Sequence, residues 1–135
     1  MKALFSIKPD FAEAILNGRK RFEFRKTRFR RAISTIAIYS TSPVSAVVGE
    51  AKVRKIHIST PEAIWRKCAV GGAIDKNFYD SYFEGSPEAS AIELFEILQF
   101  ETPIPLELYA PGTKPPQSFV YLDDKPLSDR AKNSH

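Results

Sequence analysis

The order of signals along the chain predicts an α+β domain: a mixed, mainly antiparallel sheet curling toward a small barrel, with short helices on its flanks. Three observations carry this. The chain has 135 residues, the usual size of one domain. Strand signals follow one another with few helices between them, which suits antiparallel neighbours rather than the crossovers of a doubly wound sheet. No internal repeat breaks that order.

Ala3 to Ile7 alternates apolar and polar positions and reads as the first strand. Pro9 and Asp10 then open a short helix whose Phe11, Ala14 and Ile15 share one face, and Asn17-Gly18 ends it with a left-handed cap. Arg21 to Arg25 places Phe22 and Phe24 on one side and Arg21, Glu23 and Arg25 on the other, so one face packs and the other carries charge. Thr35 to Ser40 and Val44 to Ile58 form a hairpin around Thr41-Ser42-Pro43, with Gly49 marking a bulge or a close approach.

Thr60-Pro61-Glu62 starts a second helix with a buried stripe of Ala63, Ile64, Lys67 and Cys68, stopped by Gly71-Gly72. A third, from about Asp75 to Phe83, carries an aromatic ridge of Phe78, Tyr79 and Tyr82, closed by Gly85 and Pro87. Ala89 to Phe100 is a long alternating strand. Pro103, Pro105, Pro111, Pro115 and Pro116 then predict an extended loop, and Ser118 to Leu122 a final strand. The domain is therefore expected over 1–122. Asp123 to His135 is polar and aperiodic and reads as a flexible tail.

Composition excludes several classes. With 43% apolar and 27% charged residues the chain can bury a core without staples. Its single cysteine, Cys68, forms no internal disulfide, no Cys/His spacing suits zinc, and no metal or cofactor is expected. Met1 to Ile7 lacks the apolar core of a signal peptide, and no stretch approaches the roughly 18 apolar residues of a membrane span. The expected compartment is the cytoplasm. Nucleophile-elbow, phosphate-loop, zinc-protease and dinucleotide motifs are all missing. His57 sits in an apolar-flanked strand without a second histidine or cysteine nearby, so it reads as a satisfied structural residue.

Net charge is +4, but its placement matters more, because potentials are screened within about 10 Å. Between Arg19 and Arg31 lie eight basic residues against Glu23 alone, a window of +7 on a body of −3. Such a window is either a solvated strand edge that discourages aggregation or a phosphate-binding surface built on arginine forks.

Gly18-Arg19-Lys20-Arg21-Phe22-Glu23-Phe24-Arg25 matches the G-x-K-x-x-E-x-R signature of ASCH domains, which are similar to PUA domains. Ser6-Ile7-Lys8-Pro9, Tyr39-Ser40-Thr41-Ser42-Pro43 and Pro115-Pro116-Gln117-Ser118-Phe119 also resemble the compact prokaryotic members, so the resemblance covers about 1–122. It implies a PUA-like pseudo-barrel whose signature strand lines a cleft for RNA and, in some members, a modified nucleoside or a catalytic site.

In such a cleft Lys20 would meet a phosphate or base carbonyl, Arg25 would grip a second oxygen, and Glu23 would accept from a base amino group or orient Lys20. The bland reading of the same residues is an ion pair between Glu23 and a neighbouring arginine. Lys8, Arg28 and Arg30 join as basic candidates, Ser40, Thr41 and Ser42 as short donors beside a turn, and Gln117 and Ser118 through the resemblance. Phe119, Tyr121, Trp65, Tyr79, Tyr82 and Phe83 read as core or cover, although an exposed ring among the helical ones could stack on a base.

Two function classes follow. As a binding module the chain would hold RNA, another nucleic acid or a modified nucleobase. As a hydrolase of RNA or an acylated nucleoside it would use Lys20 and Glu23, helped by Glu50 or Glu93 as a second carboxylate. Against the latter, the acylcytidine amidohydrolases that the chain resembles carry a Thr in the signature strand where this chain has Glu23.

Overall fold

The computed structural model describes residues 1–122; the expected tail, with His135, lies outside the described residues. In chain order the elements are β1 (Lys2–Ile7), α1 (Pro9–Leu16), β2 (Phe22–Arg25), β3 (Thr35–Ser40), β4 (Ala46–Ser59), α2 (Pro61–Cys68), α3 (Lys76–Phe83), β5 (Ala89–Ile104), α4 (Leu106–Tyr109) and β6 (Phe119–Leu122). No helix among these is long and apolar enough to cross a membrane.

One six-stranded sheet runs in the order β2-β5-β4-β3-β1-β6. Among the described residues only β1 and β3 pair in parallel, because α1 and β2 intervene and carry the chain to the far edge before it returns. The other neighbours are antiparallel. Register shifts along β4 against both β3 and β5 bend this long hairpin, and the sheet curls into a half-barrel.

Period-two geometry explains the packing. Ala3, Phe5 and Ile7 of β1 join Ile36 and Ile38 of β3 in the main core with Ile15 of α1. Leu4, Ala37 and Tyr39 face the other way and bury Leu106 and Ala110. A third cluster, of Phe24, Ile64, Cys68, Tyr79 and Phe83, fastens α2 and α3 over the edge made by β2 and β5. Phe119 stacks on Phe5 at 5.3 Å, and Tyr79 and Phe83 are core residues, as the strand and helix patterns predict.

The structure departs from the sequence reading in three places. The expected loop after Phe100 contains the end of β5 and a helical turn, α4. Prolines restrict the flanks there, but leave Leu106-Glu107-Leu108-Tyr109 free to turn and insert Leu106 into the core. Pro103 is tolerated in β5 because four residues of that strand, Phe100 to Pro103, bow out between its pairings with Gly49 and Val47. Finally, the charged face of β2 is buried: Glu23 is 6% and Arg25 8% exposed.

The burial of Arg25 is linked to the incomplete closure of the barrel. β2 and β6 are the two sheet edges and share no ladder. Arg25 spans between them, its Nη1 donating to Ser118 Oγ at 3.0 Å and its Nη2 to the Ser6 carbonyl at 3.0 Å. The guanidinium also lies over Phe5, 4.9 Å from the ring centre.

Candidate functional site

The signature residues reach their positions through α1 and two glycines. Gly18, with φ of +85°, reverses the chain after α1 so that the Lys20 N–H donates to the Ala14 carbonyl at 2.9 Å. The loop between α2 and α3 then clasps the same stretch: Arg21 N–H donates to the Gly71 carbonyl, and Lys20 Nζ to the Gly72 carbonyl at 2.6 Å. A side chain at Gly72 would press on the Phe24 ring and the Cys68 carbonyl, so the approach requires glycine.

Lys20 is thereby held with 1% exposure between the rings of Phe11 and Phe24, 4.8 and 4.9 Å away. Glu23 Oε1 lies 4.0 Å from its ammonium. Burial lowers the Lys20 pKa below its ordinary value; the Glu23 charge opposes this shift and the Arg25 charge adds to it. Arg25 Nη2 donates to Glu23 Oε2 at 2.8 Å and fixes the carboxylate, leaving Oε1 toward Lys20.

These three residues border a cavity of about 210 Å³, together with Ser6, Ile7, Lys8, Phe11, Phe24, Ile74, Phe78 and Tyr82. Its walls are largely aromatic and its charged groups are the buried triad, with Lys8 exposed at the rim over the Phe78 ring at 4.7 Å. Phe11 and Phe78 meet edge to face at 5.5 Å. Burial raises the Tyr82 pKa, which keeps its phenol a donor.

The structure brings Lys8, Lys20, Glu23 and Arg25 together and leaves other sequence candidates elsewhere. Arg25 has both terminal nitrogens on protein oxygens, so it holds Glu23 and the barrel edge instead of offering a free fork. Ser118 contributes as a partner of Arg25, whereas Gln117 is exposed beside it. Ser40 is buried and borders a different hollow with Pro9, Glu13 and Val44; Thr41 and Ser42 lie in the turn, tied to β1 through the Thr41 N–H. Ser40 lies on β3 and pairs with Ile7 of β1; Ile7 borders the cavity and Ser40 does not.

The basic window divides as well. Lys20 and Arg25 are buried, Arg28 is gripped by both oxygens of Glu88 at 2.7 Å, and the exposed Arg30 follows it, its N–H on the Tyr121 hydroxyl. Neither proposed second carboxylate borders the cavity. Glu50 binds Lys2 and Tyr109 on the β4 side, and Glu93 takes His57 Nε2 at 2.8 Å and Arg54 Nε at 3.4 Å. His57 is only half satisfied, since its buried Nδ1 has no partner among the described residues.

The sequence reading missed Phe11 as a cavity wall, because α1 periodicity groups it with the core residues Ala14 and Ile15. Ile74 carries no signal at all. Phe78 and Tyr82 belong to the expected aromatic ridge of α3, and the exposure of Phe78, at 40%, is what separates it from the buried Tyr79.

Three relatives share this architecture or sequence. An ASCH domain-containing ribonuclease from Zymomonas mobilis is 33% identical over 128 residues, covering 90% of this chain and 84% of that protein. The crystal structure of ASCH from Zymomonas mobilis superposes with a TM-score of 0.84 at 31% identity, over 98% of this chain and 93% of the other. A large ribosomal subunit protein uL22 from Ureaplasma parvum is 32% identical over 120 residues, 88% of this chain, which spans only 38% of that protein's length. The sequence profile of the ASCH domain matches residues 5–104, from the end of β1 through the signature strand to the end of β5. The chain therefore belongs to the ASCH domain family.

Proposed function

We propose that this protein binds single-stranded RNA, or a nucleic acid of similar form, by drawing one base into the aromatic cavity beside Lys20 and Glu23. The observation that carries this reading is the pairing of aromatic walls with a fixed acceptor and a fixed donor, Glu23 Oε1 and Lys20 Nζ, 4.0 Å apart. Rings supply stacking for any base, and the charged pair reads an edge that offers an amino group next to an acceptor. The cavity, at about 210 Å³, is smaller than the roughly 300–1,000 Å³ of sites for drug-sized ligands, which suits one planar ring system. A modified base fits the same chemistry. We place the protein in the cytoplasm, where its buried Cys68 stays reduced.

Hydrolysis of RNA or an acylated nucleoside is the second reading, favoured by one observation: burial makes Lys20 a weaker holder of its proton, and Glu23 stands beside it. A Lys of that kind serves as a base or as an electrostatic stabiliser. The Zymomonas relative is named a ribonuclease.

Incubation with single-stranded RNA and with N4-acetylcytidine, comparing wild type with Lys20→Ala and Glu23→Gln, separates the two readings. Salt-sensitive binding without product, weakened in both variants, is the result expected of the binding module. Product formed by wild type and lost in Lys20→Ala would establish the hydrolase instead. Failure to bind any nucleic acid at low salt overturns the binding reading.

A further inference from the structure

We infer that a second hollow, which also borders Lys20, is a subsite for a backbone phosphate of the strand whose base enters the cavity. It measures about 330 Å³ and is bordered by Gly18, Lys20, Arg21, Phe22, Arg54, Glu93, Leu94, Phe95 and Ile97. Arg21 and Arg54 supply its open charge. Lys20 borders both hollows, which makes them neighbours at one residue.

The case rests on how the arginines are used. Arg25 and Arg28 have their forks filled by protein oxygens. Arg21 has no carboxylate within ion-pair distance among the described residues. Its guanidinium is seated against Gly71, where a Cβ would come within 2.6 Å of Nε and Nη2, so the missing side chain is what gives it room. Arg54 lies over the Phe95 ring at 4.4 Å and approaches Glu93 most closely through Nε, at 3.4 Å, with no guanidinium hydrogen bond to a carboxylate among the described residues. Glu93, the hollow's one acidic residue, is already engaged by His57 and Arg54.

Two arginines that border one concave space, their guanidinium groups seated and incompletely neutralised, match an anion with several oxygens. A phosphodiester is such an anion, and planar forks grip it better than ammonium groups do. Fixing a phosphate there would set the register of the strand relative to the base, which is the usual division between backbone and base contacts. Arg54 lies outside the basic window, on β4.

The inference depends on the nucleic-acid reading of the cavity, and the test keeps the two apart. Affinity of a labelled single-stranded RNA is measured over a salt series for wild type, Arg21→Gln/Arg54→Gln and Arg66→Gln, a single-charge control on α2. The same proteins are titrated with an uncharged nucleoside and with inorganic phosphate. The double variant is expected to bind RNA at least about tenfold more weakly, with the salt slope flattened by about one per lost phosphate contact. The loss should exceed that of Arg66→Gln and that seen with the nucleoside. RNA binding and salt slope equal to wild type would overturn the phosphate subsite while leaving the base cavity standing. Equal losses for RNA and nucleoside would also overturn it. Weakened phosphate binding in the double variant, with no wild-type affinity for any RNA, would refute the base reading and the strand but assign the hollow to free phosphate.

Discussion

At the scale of single residues, the signature Lys-Glu-Arg set does three different jobs. Arg25 closes the barrel and holds Glu23, Glu23 presents one free oxygen, and Lys20 sits buried between rings. Removing one member of such a buried pair leaves the other charge uncompensated, a loss of about 3–5 kcal/mol in comparable cases. The Lys20 shift has a definite sign. Because the native side chain binds its proton less tightly than the unfolded chain does, its contribution to stability is full above 10.5 and is lost as pH falls through the depressed native value. Thermal unfolding of wild type and Lys20→Met from neutral pH to 10.5 should show wild type gaining on the variant as pH rises. A gap independent of pH would mean that Lys20 is not desolvated. The sequence made these residues legible through the signature, but not their division of labour, because a period-two pattern reports which face a residue takes and not whether a barrel edge folds over that face.

At the scale of elements, β1, α1, the β3-β4 hairpin, α2 and α3 were readable from caps, glycines and alternation, with ends shifted by a residue or two. What was not readable arises from tertiary contact. The turn α4 exists because Leu106 has a core position to fill between prolines. The basic window looked like one surface only along the chain; in space Glu88, from the start of the β5 arm, removes Arg28 from it. Ser40, Thr41 and Ser42 lie at the end of β3 and in the turn after it, outside the cavity. Gly49 is a reading that the structure explains fully. A Cβ there would collide with the Leu98 carbonyl of β5 and lie 2.8 Å from Leu16 of α1, so β4, β5 and α1 all meet at this point. Gly49→Ala should therefore cost about 1–3 kcal/mol, as overpacking does, and lower the melting temperature by several degrees. A melting temperature equal to wild type would mean that this junction yields freely.

At the scale of the whole molecule, a six-stranded sheet bent into a half-barrel by the register shifts of β4 has its two edges bridged by one guanidinium, and the helices α1 and α3 cover the mouth with Phe11, Phe78 and Tyr82. The fold class was legible because strand order alone favours antiparallel neighbours. The cavity was not, since Ile74 and the α3 residues Phe78 and Tyr82, far along the chain, complete the wall that β1, α1 and β2 begin. The central claim is that these rings receive a base. Its most direct test is the affinity of Phe78→Ala for single-stranded RNA, because Phe78 is 40% exposed and its removal leaves the core intact. Loss of one stacking platform should weaken binding by roughly 1–3 kcal/mol, about 5-fold to 150-fold, with unchanged melting. Affinity equal to wild type would contradict base insertion at this cavity.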